Sequence, residues 1–182
     1  MFNLLDENKL CEYCNPEKFK EFKQRKEFHI LSVLKNNGFE KGLKHNCVPE
    51  TKCGKERPDF YWEFEAYVLI CEVDESQHKS YSCLCEQIRM INISQSFGGK
   101  PVFWIRYNPD AFRLPSGELA YITQRQREEH LLEWIRYGHT SPPTEYVQVI
   151  HLFYDECELR VGANQIQTLQ KWEREEETKT NL

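Results

Sequence analysis

The chain has no apolar run near the ~20 residues that cross a bilayer as a helix, so a helical membrane protein is excluded and no membrane partner is expected. Its opening stretch, MFNLLDENKLCEYC, lacks the basic start, apolar segment and small-residue cleavage site of a secretion signal, and the expected compartment is intracellular and reducing. Internal repeats and low-complexity segments are absent, which argues against a solenoid or a linker-rich chain. Bulk positive charge is lacking too: 24 Lys and Arg face 29 Asp and Glu, a net charge of −5, which by itself argues weakly against a nucleic-acid partner. What the chain does have is 182 residues, 40% of them hydrophobic, enough for one domain around one core. It also has eight cysteines, and a reducing compartment makes these metal ligands or buried thiols rather than disulfides.

Charge is unevenly placed. Residues 18–57 carry eleven Lys/Arg and five Asp/Glu, a local surplus of six positive charges; residues 59–86 carry seven acids and one Lys, a deficit of six. A basic arm beside an acidic patch suits a protein that grips phosphates and holds a divalent cation, although two solvated faces give the same pattern. Apolar spacing places a helix over residues 17–36, with Phe28, Ile30, Leu31 and Leu34 on its apolar side, stopped by Asn36-Asn37-Gly38. Residues 39–57 read as a polar loop with room for one short strand. Residues 59–64 and 67–74 read as a hairpin joined at Glu65-Ala66; the second run is almost continuously apolar, as in a strand covered on both faces. A helix over 80–97 ended by Gly98-Gly99, a strand over 101–107, a helix over 121–138 and a strand over 146–154 complete the pattern. This order predicts a mixed α/β layer fold. The expected organisation is an N-terminal segment 1–16, a single domain 17–155 and a C-terminal tail 156–182, charged from about Gln170.

Asp59 opens one hairpin strand, and Glu72 and Asp74 close the next, so an antiparallel pairing draws the three together. Residues two apart on a strand share a face, which aims Glu72 and Asp74 the same way. Neighbouring unpaired carboxylates raise one another's pKa, and a bound cation relieves that. Oxygen-only ligands suit Mg²⁺, Mn²⁺ or Ca²⁺. His78, four residues beyond Asp74, is a candidate general acid or base, or a phosphate ligand. A hairpin with merely exposed acids fits the same spacing.

Cys11-Glu-Tyr-Cys14 has the spacing of a zinc knuckle. Cys47 and Cys53, in the loop beyond the first helix, are the best candidates to complete a structural four-ligand site, with His45 able to replace one thiolate. Cys83 and Cys85 form a rival pair, but a one-residue gap on a helix points them apart; with Cys71 and Cys157 they are expected to be small buried or half-buried residues.

Arg57-Pro58-Asp59-Phe60, with twelve residues between Asp59 and Glu72-Val73-Asp74, resembles the PD-(D/E)XK nuclease motif. Glu72-x-Asp74-Glu75-x-x-His78, followed by Glu86-x-x-Arg89, Gly98-Gly99 and Pro101-Val-Phe-Trp-Ile-Arg106, is similar to the branch related to very-short-patch-repair endonucleases. The resemblance covers about residues 20–110. It implies a restriction-endonuclease-like core of helix, three strands, helix and strand, here with a C-terminal helix-strand extension. It also implies Mg²⁺- or Mn²⁺-dependent hydrolysis of DNA phosphodiesters in repair, recombination or defence, with RNA the less favoured substrate. Asp59 and Glu72 match the metal-binding acids, and Glu27 is the choice for an acid added from the first helix, with Glu21 as the alternative. Asp74 occupies the place of the usual lysine; Asp74 and His78, or Gln77 or Lys79, would then share the lysine's work. The same departure fits an inactive nucleic-acid-binding or assembly module. Arg57, Lys79 and Arg89 are the expected phosphate contacts; a helical ion pair of Arg89 with Glu86 is as good a reading, and Arg106 is expected to be a solvated strand end. Oligomeric state stays open.

Overall fold

The computed structural model describes residues 16–49, 56–78 and 83–155, with the main chain alone for 16–24, 78 and 83–85. Its elements run α1 (Pro16–Asn36), β1 (Lys44–His45), β2 (Phe60–Glu63), β3 (Val68–Val73), α2 (Cys83–Gln95), β4 (Val102–Tyr107), α3 (Gln124–Thr140) and β5 (Val147–Leu152). The order is therefore helix, three strands, helix, strand, then helix and strand. A five-stranded open sheet runs β1-β2-β3-β4-β5. The β1–β2 and β2–β3 pairs are antiparallel, and the β3–β4 and β4–β5 pairs are parallel. Among the described residues no helix is long and apolar enough to cross a membrane.

Local chemistry sets the element ends. Gly38, at φ 84°, ends α1: its N–H donates to Lys35 O at 3.2 Å, and Phe39 N–H donates to Leu34 O at 3.0 Å. These two bonds satisfy carbonyls the helix leaves unpaired, at a backbone angle that glycine adopts without strain. The third helix starts at Gln124 rather than at 121 because Thr123 caps it. Gln126 N–H donates to Thr123 Oγ1 at 3.3 Å, and Thr123 N–H donates to Gln126 Oε1 at 3.0 Å.

All six residues of β3 and all six of β4 are buried, as the continuous apolar runs demand. One face of the sheet packs Leu69, Cys71, Phe103 and Ile105 against Ile30 and Leu34 of α1 and Leu131, Leu132 and Ile135 of α3. The other packs Val68, Ile70 and Trp104 against Ile93 of α2 and the following Phe97. Gly138 allows α3 to approach closely: a Cβ there would meet Leu69 Cδ1 at 2.6 Å. Tyr67 Oη fixes the same contact by donating to Gly138 O at 2.8 Å.

Register brings chemistry to one edge. Phe60 pairs with Cys71, so Asp59, just before the strand, faces Glu72. Glu72 pairs with Arg106, and Arg106 with His151. The carboxyl ends of three parallel strands and the amino end of β2 thus share one rim, the rim where open α/β sheets commonly place ligands. After β3 the chain turns through Ser76 (φ 53°) and Gln77 (φ 58°), two successive non-glycine residues in the left-handed region. Ser76 N–H donates to Asp110 Oδ2 at 2.8 Å, and Gln77 Oε1 accepts from Asp155 N–H at 2.8 Å, which hold the turn from both sides.

Candidate active site

Asp59 sits at the rim with one carboxylate oxygen accepting from Val73 N–H at 2.8 Å. Burial pushes its pKa up to about 9, helped by the charge of Glu72 and more weakly by Glu27 and Asp74, and opposed by the Val73 N–H. Glu72, directly across the hairpin, is 1% exposed. Its carboxyl is also raised, by burial first and by Asp74; Arg89, and less strongly Arg106, pull it down. Arg89 reaches over from α2: its Nη2 donates to Glu72 Oε1 and its Nη1 lies by Oε2, each at 3.2 Å. The same Nη2 donates to Arg57 O at 3.1 Å. Glu27 arrives from α1 and is held by His45 of β1, with Nε2 and Oε1 2.6 Å apart. The His45 ring in turn stacks on Phe60, centroids 5.2 Å apart and 16° from parallel.

A second cluster lies on the α2 side of the sheet. Asp74 is fully buried, with Arg106 Nε donating to Oδ2 at 2.6 Å and Nη2 to Oδ1 at 2.8 Å. Tyr154 Oη donates to the same Oδ2. Arg106 Nη2 also reaches Glu86 Oε2 at 2.5 Å. Burial works against the Arg106 charge, but Asp74 outweighs it and holds the guanidinium firmly protonated.

The structure brings together Asp59, Glu72, Glu27 and Asp74, drawn from α1, the β2–β3 hairpin and its exit. Their oxygens are already partly engaged. Among the described residues no group of three or more His, Cys, Asp or Glu side chains is arranged to hold a metal ion. The donor chemistry still fits a hard cation at Asp59 and Glu72: a half-buried acid faces a buried one, and among the described residues the one polar group bonded to the Asp59 carboxylate is a main-chain N–H. Asp74 is differently placed, with both oxygens bonded to Arg106. His78 closes the 3₁₀ turn Glu75–His78, the first turn past β3; its side chain lies outside the described residues, as does Lys79. Arg57 is exposed. Cys47 is exposed and unbonded to another cysteine, its Sγ donating to His45 O at 3.0 Å; Cys11, Cys14 and Cys53 lie outside the described residues.

Two features depart from what the sequence suggested. Arg106 is a buried partner of Asp74, not a solvated strand end, because parallel register sets it beside Glu72 with α2 covering that face. Arg89 reaches down to Glu72 rather than bonding Glu86 one turn away, and Glu86 goes to Arg106. Sequence reading missed Tyr154 and the His45–Glu27 pair. The signal for Tyr154 was available: it follows a strand whose end must share the rim with β3 and β4. Compared with known proteins, the chain matches no family model, no curated protein sequence and no solved structure.

Proposed function

We propose that this protein is a divalent-metal-dependent endonuclease with a restriction-endonuclease-like core, hydrolysing DNA phosphodiester bonds. One observation supports it above the rest: half-buried Asp59 and buried Glu72 face each other across the hairpin, with Glu27 close enough to raise the Asp59 pKa further. Such a charge excess is costly unless a cation joins it. Asp59 and Glu72 would bind Mg²⁺ or Mn²⁺, with Glu27 as third acid. When bound, the ion supplies Lewis acidity at a phosphoryl oxygen and a more acidic water.

The remaining roles belong to the chain's own groups. Arg89 fixes the orientation of Glu72 and contributes positive charge beside it. Asp74, locked by Arg106 and Tyr154, positions the exit of β3 and adds negative field. His78, in the turn that follows, is the acid or base candidate. Arg57, Lys79 and the basic residues of 18–57 would hold the phosphate backbone, contacts that carry no sequence information. A structural Zn²⁺ on Cys11, Cys14, Cys47 and Cys53 belongs to the same reading, and elemental analysis of the purified chain should give about one zinc per chain.

The second reading is a non-catalytic nucleic-acid-binding or assembly module. The closed Arg89–Glu72 ion pair favours it, since an acid neutralised from within needs no metal. Supercoiled plasmid incubated with Mg²⁺ or Mn²⁺ separates the two. Nicking that disappears in Asp59→Ala supports the nuclease. Nicking unchanged in Asp59→Ala removes this site, and retention of DNA without any cutting supports the module.

A further inference from the structure

On the opposite face of the rim lies an open cleft of about 620 Å³, between α1, residues 108–123 and the start of α3. That volume is within the ~300–1,000 Å³ typical of ligand clefts. Arg25, Lys26, His29, Tyr121, Gln124 and Arg127 line it, and no Asp or Glu does among the described residues. Lys26 and His29 are steadied by carboxylates behind the lining, Asp110 and Glu128. Among the described residues Arg127 is bonded to no carboxylate: Nη1 donates to Asn108 O at 3.2 Å and Asp110 O at 2.5 Å, and its guanidinium lies over Phe112 at 5.3 Å and Phe153 at 5.2 Å. Burial lowers its pKa, so the charge is held at a cost that a bound anion would offset. Tyr121 lines the cleft and is 88% exposed, so its ring is open to a ligand.

A cluster of guanidinium and ammonium groups beside an exposed aromatic ring matches one ligand chemistry well: a phosphodiester whose attached base is unstacked. Phosphate meets the cations and the base lies on the ring. A duplex keeps its base faces inside its own stack and presents phosphates and base edges but no base face to stack on the ring. We infer that this cleft binds an unpaired nucleotide of single-stranded nucleic acid. Asp110 ties the two regions together, since it bonds both Lys26 and the Ser76 N–H in the turn after β3. The inference deepens the nuclease reading, on which it rests for the polymer class, by making a single-stranded segment the substrate.

Binding is measured on the full chain in EDTA, where no cleavage occurs, by anisotropy of a fluorescein-labelled single strand and of the matching duplex, as DNA and as RNA. The wild type should bind a single strand more tightly than the duplex, and the sugar preferred identifies the polymer. Tyr121→Ala should weaken single-strand binding roughly 5- to 100-fold, with Tyr121→Phe near wild type. Arg25→Glu should weaken it and flatten the salt dependence by about one unit of slope. Equal binding of duplex and single strand, an unaltered Tyr121→Ala, or competition by polyglutamate as effective as by the oligonucleotide would each overturn the assignment. Cleavage of the labelled single strand with Mg²⁺ or Mn²⁺ keeps the two ideas apart. Tyr121-dependent binding without cleavage of the bound strand leaves the cleft standing and removes the nuclease; Asp59-dependent cleavage with Tyr121-independent binding does the reverse.

Discussion

Asp74 and Asp59 lie at the ends of neighbouring strands on one rim of the sheet, and the surrounding chain treats them in opposite ways. Asp74 has no exposure, two bonds from one guanidinium and a third from a phenol. Asp59 has a single main-chain N–H, with Glu72 opposite and Glu27 beyond it. A buried acid that is fully bonded belongs to the architecture. A half-buried acid that other acids surround marks where something positive from outside is wanted. The two are 15 residues apart in sequence, and only the position of the cations tells them apart.

Substitutions can break this contrast. The largest effect should come from Arg106→Met, which leaves Asp74 buried without its partner and should cost about 3–5 kcal/mol of stability by chemical denaturation. Pairing it with Asp74→Leu should restore most of the loss; no restoration would mean that the ion pair is not what the site depends on. Tyr154→Phe should cost about 1–2 kcal/mol in the same assay, since it removes one hydrogen bond to a charged group. Asp59→Asn should go the other way and stabilise the metal-free protein by about 1–2 kcal/mol at pH 8, while abolishing cleavage. A destabilised Asp59→Asn with activity intact would place Asp59 with Asp74 as architecture.

pH sharpens the contrast further. The folded-state pKa of Asp59, about 9, is above its ordinary 3.8, so the native protein keeps a proton that the unfolded chain releases. The stability tied to that proton is complete below the unfolded value and is lost as pH rises towards the folded one. In EDTA the gap in Tm between Asp59→Asn and wild type should therefore widen from pH 5 to pH 9. Adding Mn²⁺ should raise the wild-type Tm more at pH 8 than at pH 5. A gap independent of pH would show that the Asp59 carboxyl titrates normally.

Much of the fold was legible in the chain. The runs at 67–74 and 101–107 are apolar on both faces, and that alone makes them central strands; glycines at 38 and at 98–99 mark where helices stop. The start of α3 was misplaced because 121 and 122 continue the apolar pattern, while the cap at Thr123 is decided by hydrogen bonds that periodicity does not register. At the site, Asp59 facing Glu72 follows from hairpin geometry, and Glu27 was reached by resemblance. The division of labour between Asp59 and Asp74 was not legible, because it depends on Arg106 and Tyr154. Those residues come 32 and 80 positions after Asp74 and are joined to it only through strand register.

The late position of Tyr154 bears on how the molecule is made. Asp74 leaves the ribosome long before the phenol that bonds it, and Gln77 before the Asp155 N–H that steadies its turn. Until that final strand is translated, the rim bears an acid whose set of donors is incomplete, and the exit from β3 is held from one side only. Completion of the acidic rim therefore waits on synthesis through Asp155, and a nascent chain halted before residue 147 would present the hairpin with its second cluster unfinished.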